Sequence, residues 1–333
     1  MDVIGKLRRL AIGAVSGVVA MAVANTAQAW EGGLPAETKA GTFIGASAGA
    51  PPPGLYGFTQ AFTYNGNFTG PVTNIIGNNV GVQANVGAQG FLYVPGWTFL
   101  GATYDAVLVL VGGSQSVGRP LNIQEVGAID TYFVPVELSW NLGNSGFFVK
   151  TGVGIWAPTG TQTGVNKLGN VGLPFWTIQP ELVFSYLKDG WNLSVALYDE
   201  IHTENSLTHY RSGDVFHADF TATKRFDKWT IGPVGYYVGQ ITNDRSSAFY
   251  NNLMQNGRYD IWAAGGLIGY DFGPASVSLW GAQEVYSRAS GGAAVGPFNT
   301  AASTKGFTLF GQLSYRIWGP EQEAAPKRPM FHK

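Results

Sequence analysis

The sequence contains no cysteine among its 333 residues, so no disulfide scaffold holds the fold, and stability must come from backbone pairing and packing. It is also poor in charge. Asp, Glu, Lys and Arg make up 12% of the chain, against about 25% in an average soluble protein. The formal net charge of −1 offers nothing to a nucleic-acid backbone. Past the N-terminal segment no run of about 20 apolar residues occurs, which excludes a helical membrane span. Few windows repeat at the helical period. These absences point to lipid as the solvent and a closed sheet as the fold, because only helices and barrels satisfy their backbone inside a membrane.

What is present fits that solution. Aromatic residues reach 14% and glycines number 47, roughly twice the usual glycine share of about 7%. Lys6, Arg8 and Arg9 precede the apolar stretch from Leu10 to Ala24, and Ala27-Gln28-Ala29 follows as a small-x-small site. Residues 1–29 are therefore expected to be a signal peptide that leaves Trp30 at the mature N-terminus.

Period-two alternation recurs along the rest of the chain. Val80, Val82, Ala84, Val86 and Ala88 alternate with Gly81, Gln83, Asn85, Gly87 and Gln89. Tyr132, Val134, Val136, Leu138 and Trp140 oppose Thr131, Phe133, Pro135, Glu137 and Ser139. Trp176, Ile178, Leu182, Phe184 and Tyr186 oppose Thr177, Gln179, Glu181 and Ser185. Phe307, Leu309, Leu313, Tyr315 and Ile317 oppose Thr308, Gln312, Ser314 and Arg316. Each is expected to face its apolar side to lipid and its polar side to the lumen, over the roughly ten residues a tilted membrane strand needs.

The connections sort by length. Long loops are expected near Gly66–Asn79, Gly112–Leu121, Pro158–Pro174, Thr203–Gly213, Asn243–Asn256 and Ser287–Thr304. Short turns fall at Val94-Pro95-Gly96, Gly143-Asn144-Ser145, Lys188-Asp189-Gly190, Asp227-Lys228 and Gly273-Pro274. Long extracellular loops alternating with short periplasmic turns are the habit of bacterial barrels. The expected fold is all-β: a transmembrane antiparallel up-and-down β-barrel of about 12 strands. Tyr93, Trp97, Trp140, Trp176, Trp191, Trp229 and Trp318, beside turns, would form its interfacial girdles. The barrel would span 54–318, after an N-terminal segment at 30–53 that reads equally as periplasmic linker or plug. Residues 319–333 would be a flexible periplasmic tail.

Several short stretches resemble the phenol meta-pathway degradation proteins. They are Glu31-Gly32-Gly33, Pro51-Pro52-Pro53-Gly54-Leu55-Tyr56, Asp130-x-x-x-x-Pro135, Ala157-Pro158-Thr159-Gly160, Asn205-x-x-Thr208-x-Tyr210-x-x-Gly213-Asp214 and Gln240-Ile241-Thr242-x-Asp244. The resemblance implies an outer-membrane transporter barrel and uptake of hydrophobic, including aromatic, compounds. It brings no catalytic or binding residues with it. One departure is the terminus: the last strand ends at Trp318, but the chain continues to Lys333.

Inward charges are the candidate site. The hairpin at Gly143-Asn144 is expected to bring Glu137 near Lys150 on the lumen wall, with Glu181 one strand further on. These lumen-lining residues either shape a pore field or satisfy one another in a narrow barrel. Glu284 and Arg316 read as a structural pair near the barrel closure. If residues 30–53 enter the lumen as a plug, Phe43 and Ile44 would give a path an apolar lining. His202, His209 and His217 fall around the fourth long loop near Asp214 and Asp219, but their spacing matches no metal-ligand motif. Ser206 and Ser212 lie nearby without a nucleophile context. No cofactor, metal or nucleic acid is expected, and the partners are outer-membrane lipid and a small hydrophobic solute. The expected function is an outer-membrane channel for small hydrophobic or aromatic molecules, and not an enzyme. The alternatives are a non-transporting structural or adhesive barrel and a barrel lipid hydrolase.

Overall fold

The computed structural model of the chain describes residues 36–162, 170–255, 257–295 and 297–320. The expected signal peptide, the Glu31-Gly32-Gly33 motif and most of the expected tail lie outside them. Twelve long strands follow one another: β1 Gly54–Thr69, β2 Gly81–Val94, β3 Ala102–Val117, β4 Thr131–Asn141, β5 Phe147–Ala157, β6 Thr177–Tyr186, β7 Trp191–His202, β8 Val215–Phe226, β9 Trp229–Gln240, β10 Arg258–Asp271, β11 Ala275–Ser290 and β12 Ser303–Trp318. Each pairs antiparallel with the next, and β1 pairs with β12 from Leu55 opposite Trp318 to Thr69 opposite Ser303. The ring closes and leaves no edge exposed.

Two connections differ from expectation. The chain after Val94 is not a bare turn, because Thr98–Phe99 folds back on Ala102–Thr103. The expected loop at Gly112–Leu121 is mostly strand: β3 continues to Val117 and Ile123–Ala128 pairs back against it. Pairing in both stretches satisfies backbone groups that a bare loop would leave open.

The expected facing holds on β6 and β12. Ile178, Leu182 and Phe184 are exposed on the outside while Gln179, Glu181 and Ser185 are buried, and Phe307, Leu309 and Leu313 point away from buried Thr308. Two strands correct it. On β4 the pairing slips by one residue around Pro135, where Phe133 is opposite Ile155 but Glu137 is opposite Gly152. A bulge there flips the parity, so Tyr132 and Val134 are buried inside together with Glu137 and Ser139, while Val136 faces out. Proline has no N–H to give a ladder and belongs at such a bulge. On β2 the whole assignment inverts: Ala88 packs inside with Val107 and Val111, whereas Gln83 and Asn85 are exposed outside.

Candidate functional site

The lumen is not empty. Residues 36–49 run through it as a chain of turns, with Thr42 N–H donating to Lys39 O (3.1 Å) and Ala46 N–H to Phe43 O (3.1 Å). Irregular backbone at membrane depth leaves most of its N–H groups without ladder partners, so the wall must supply them. It does. The N–H groups of Glu37 and Thr38 both donate to the Glu200 carboxylate at 2.8 Å. Those of Gly41 and Phe43 donate to the two oxygens of Asp219 at 2.8 and 2.9 Å. Gly45 N–H reaches Thr221 Oγ1 and Ala48 N–H reaches Ser185 Oγ, and Trp280 Nε1–H donates to Gly41 O at 2.9 Å. Glycine is required at position 41. Its φ is +95°, and a Cβ would lie 2.9 Å from the Tyr236 ring.

Apolar contacts complete the seat. Phe43 stacks on Tyr198 with ring centroids 4.6 Å apart and lies 6.4 Å from Tyr132. Ile44 is buried with Tyr236, Leu267, Trp280 and Phe310, the last two rings stacked at 5.1 Å. The lining therefore presents two aromatic clusters, one on each side of the segment.

Two largely enclosed lysines carry the lumen's electrostatics. Lys150 on β5 meets Glu137 Oε2 at 2.7 Å and Asp105 Oδ2 of β3 at 3.8 Å. The Glu181 carboxylate approaches the same spot over Gly152, where a Cβ would lie 2.7 Å from its Oε1. The three residues read from the hairpin thus come together, and Asp105 joins them. Lys39, on the segment, meets Glu284 Oε1 at 3.1 Å and donates to Tyr236 Oη at 3.0 Å. Burial works against its charge, but Tyr236 and Glu284 hold its pKa above the ordinary lysine value. Glu284 also accepts from the hydroxyls of Tyr64 and Tyr236, both at 2.9 Å, and from Gly306 N–H at 2.7 Å.

Glu284 is not paired with Arg316. The antiparallel register puts Gln283 opposite Phe307, well up the barrel, while Arg316 sits at the exposed periplasmic mouth and donates to Pro53 O at 2.9 Å. Two of the histidines meet at one carboxylate and the third stands apart. His217, stacked on Tyr198 (4.7 Å), and His202, which also contacts Gly213 O, lie 3.8 and 3.6 Å from Glu200, whereas exposed His209 meets Glu204. Among the described residues no cluster of metal-ligating side chains forms.

The motifs of the sequence have structural work instead. Asp130 takes Gly160 N–H on one oxygen (2.7 Å) and Leu173 N–H on the other (2.6 Å), clamping the third long loop. Asp244 Oδ1 accepts from Gly213 N–H (2.9 Å) and Gln240 Nε2 (2.8 Å), and Ser247 donates to Thr208 O. The Asn205–Asp214 and Gln240–Asp244 stretches are two halves of one loop clasp. Gly213 fits because a Cβ there would lie 2.2 Å from Thr242 O.

Sequence reasoning missed Asp105, Glu200, Asp219 and Lys39 as lumen groups. For Asp105 the available signal was a lone acidic residue in an otherwise uncharged strand.

A closed twelve-strand barrel with an apolar outer wall is a bacterial outer-membrane protein. The chain belongs to the family described as "Putative MetA-pathway of phenol degradation", whose profile matches residues 60–295. Among solved structures it is similar to the COG4313 outer membrane channel from Pseudomonas putida F1, with a TM-score of 0.67 at 13% identity, covering 81% of this chain and 98% of that one. The translocator domain of the autotransporter NalP from Neisseria meningitidis has a TM-score of 0.44 at 11% identity, covering 80% and 90%. The NanC porin has a TM-score of 0.37 at 10% identity, covering 77% and 100%. No curated protein matches the sequence.

Proposed function

We propose that this protein is an outer-membrane channel for small hydrophobic molecules, aromatic ones included, and that residues 30–53 act as its plug. The observation that carries the reading is the pair of aromatic clusters around the segment: Phe43 with Tyr198 and Tyr132, and Ile44 with Trp280 and Phe310. A flat apolar solute replacing Phe43 or Ile44 would meet the faces those side chains now occupy, at little desolvation cost. The family's connection with phenol degradation supports the same substrate class. Glu137, Glu181 and Asp105 gather around Lys150 on the wall, so their role in this reading is to keep the lumen's shape, with Glu284 holding the plug through Lys39 and Arg316 set at the mouth.

The test is flux into liposomes of a small aromatic solute against a sugar of similar size. It compares the native chain with Ala48→Cys/Ser185→Cys, whose disulfide tethers the segment to the wall. Faster entry of the aromatic, reduced by the tether and restored by reductant, is expected. Equal flux of both solutes would leave a general pore. Flux of neither would favour the second reading, a structural barrel.

A further inference from the structure

The outer wall is not uniform. On β6 and β7 the exposed outward side chains are Ile178, Leu182, Phe184, Leu193 and Val195. On β1–β3, beside and above the exposed Leu108 and Leu110 of β3, the outward positions instead carry Thr63 and Asn65, Gln83, Asn85 and Gln89, and Ser114. They lie in register: Thr63 is opposite Asn85 and Asn85 opposite Ser114, while Asn65 is opposite Gln83. Between this row and the pair Thr59–Gln89 runs a row of small residues, Ala61 opposite Gly87 opposite Gly112.

This face lies at membrane depth. Tyr93, exposed at the periplasmic end of β2, marks the lower interface. At about 3.3 Å per residue and a tilt of about 40°, Gln89 and Asn85 stand roughly 10 and 20 Å above it, inside an apolar band about 25 Å tall. Hydrocarbon offers an amide no partner. Gln89 copes by folding onto the wall: its Nε2 donates to Phe58 O and Gly90 O, and its Oε1 accepts from Thr59. Gln83 and Asn85 stay exposed and point outward.

We propose that this face is the interface between two copies of the chain. Amides and hydroxyls both donate and accept, so a neutral face built from them is complementary to itself, as a two-fold interface requires. A face of one charge sign would repel its copy. The Ala61–Gly87–Gly112 row lets two walls approach closely, and small residues with amides beside them are what joins protein surfaces in lipid, where apolar side chains gain nothing over lipid tails. At the extracellular end the face opens into a concavity of about 790 Å³ whose lining includes Asn65, Gln83, Ser116, Gln124, Gln283 and Lys305. A second wall would roof it. Lys305 makes a phosphate-bearing outer-leaflet lipid the rival occupant, and the experiment separates the two.

The absence of native cysteine makes the test direct. Single variants Thr63→Cys, Asn85→Cys, Gly87→Cys and Ser114→Cys are oxidised in native outer membranes, with Leu182→Cys and Val195→Cys on the other wall. Disulfide-linked dimers are expected from at least one of the first four and from neither of the last two. Native mass spectrometry of the full chain in nanodiscs should give twice the monomer mass, falling to the monomer for Gln83→Leu/Asn85→Leu/Gln89→Leu. Heat-shifted mobility in gels reports that each variant is folded. A wild-type chain that is monomeric in nanodiscs, bare or carrying lipid, overturns the proposal, as does equal cross-linking from both walls.

Discussion

The two lysines of the lumen perform the same chemistry in different places. Lys150 ties strand to strand, meeting Glu137 and Asp105 from its own wall. Lys39 ties the N-terminal segment to the wall, through Glu284 and Tyr236. Each sets a positive charge beside carboxylates buried in a narrow barrel. The difference lies in what is lost without them: one lysine belongs to the barrel and the other to its contents. The wall's own cation, Lys150, stays with the barrel whatever the segment does, whereas Lys39 would leave with the segment and Glu284 would keep only its donors from Tyr64, Tyr236 and Gly306.

The sharpest way to break this comparison is Lys150→Met. It leaves Asp105, Glu137 and Glu181 facing one another with no cation, and should lower barrel stability by about 3–5 kcal/mol, read from urea unfolding in lipid vesicles. Lys39→Met should leave that unfolding free energy within about 1 kcal/mol, because Glu284 keeps donors from Tyr64, Tyr236 and Gly306. It should instead loosen the segment, seen as faster proteolysis near Ala40 and higher conductance. Equal effects of the two variants on unfolding would erase the distinction.

A carboxylate held by neutral donors calibrates the ion pairs. Asp244→Ala removes the acceptor shared by Gly213 and Gln240 and should cost about 1–3 kcal/mol, confined to the clasped extracellular loops and visible as hydrogen exchange at Gly213. The smallest effect is a pH dependence of the segment's seat. Glu37 has its carboxyl oxygens sealed from solvent, and burial, then the charges of Asp130 and Glu200, push its pKa well above 4.5. A carboxylate raised in the bound state favours that state below its ordinary pKa and loses the advantage as pH rises through the raised value. The segment should therefore hold tightest in acid and loosen toward alkaline pH, with Glu37→Gln flattening the profile. A conductance rise on acidification would contradict this.

Much of the architecture was legible beforehand. Alternating side chains, sorted loop lengths and the scarcity of charge were enough for a closed barrel of twelve strands. The Glu137–Lys150 pair was legible because a five-residue hairpin is local and antiparallel pairing sets who faces whom. Two facings were misread for two separate reasons. On β4 a bulge at Pro135 reverses parity, and a bulge leaves period two intact on either side. On β2 the alternation itself was right, but which side met lipid was assigned by the rule of apolar outside, and this wall does not obey it.

By itself, the sequence determined the solvent, the strand periodicity and the topology, because those depend on composition and on contacts between neighbours along the chain. Only the tertiary structure decided that Lys39 meets Glu284, that Gly41 and Phe43 rest on Asp219, and which wall turns its amides outward. Those facts join residues far apart in the chain. Period two states that two faces differ, and only the closed ring, with a segment threaded through it, states which of them is inside.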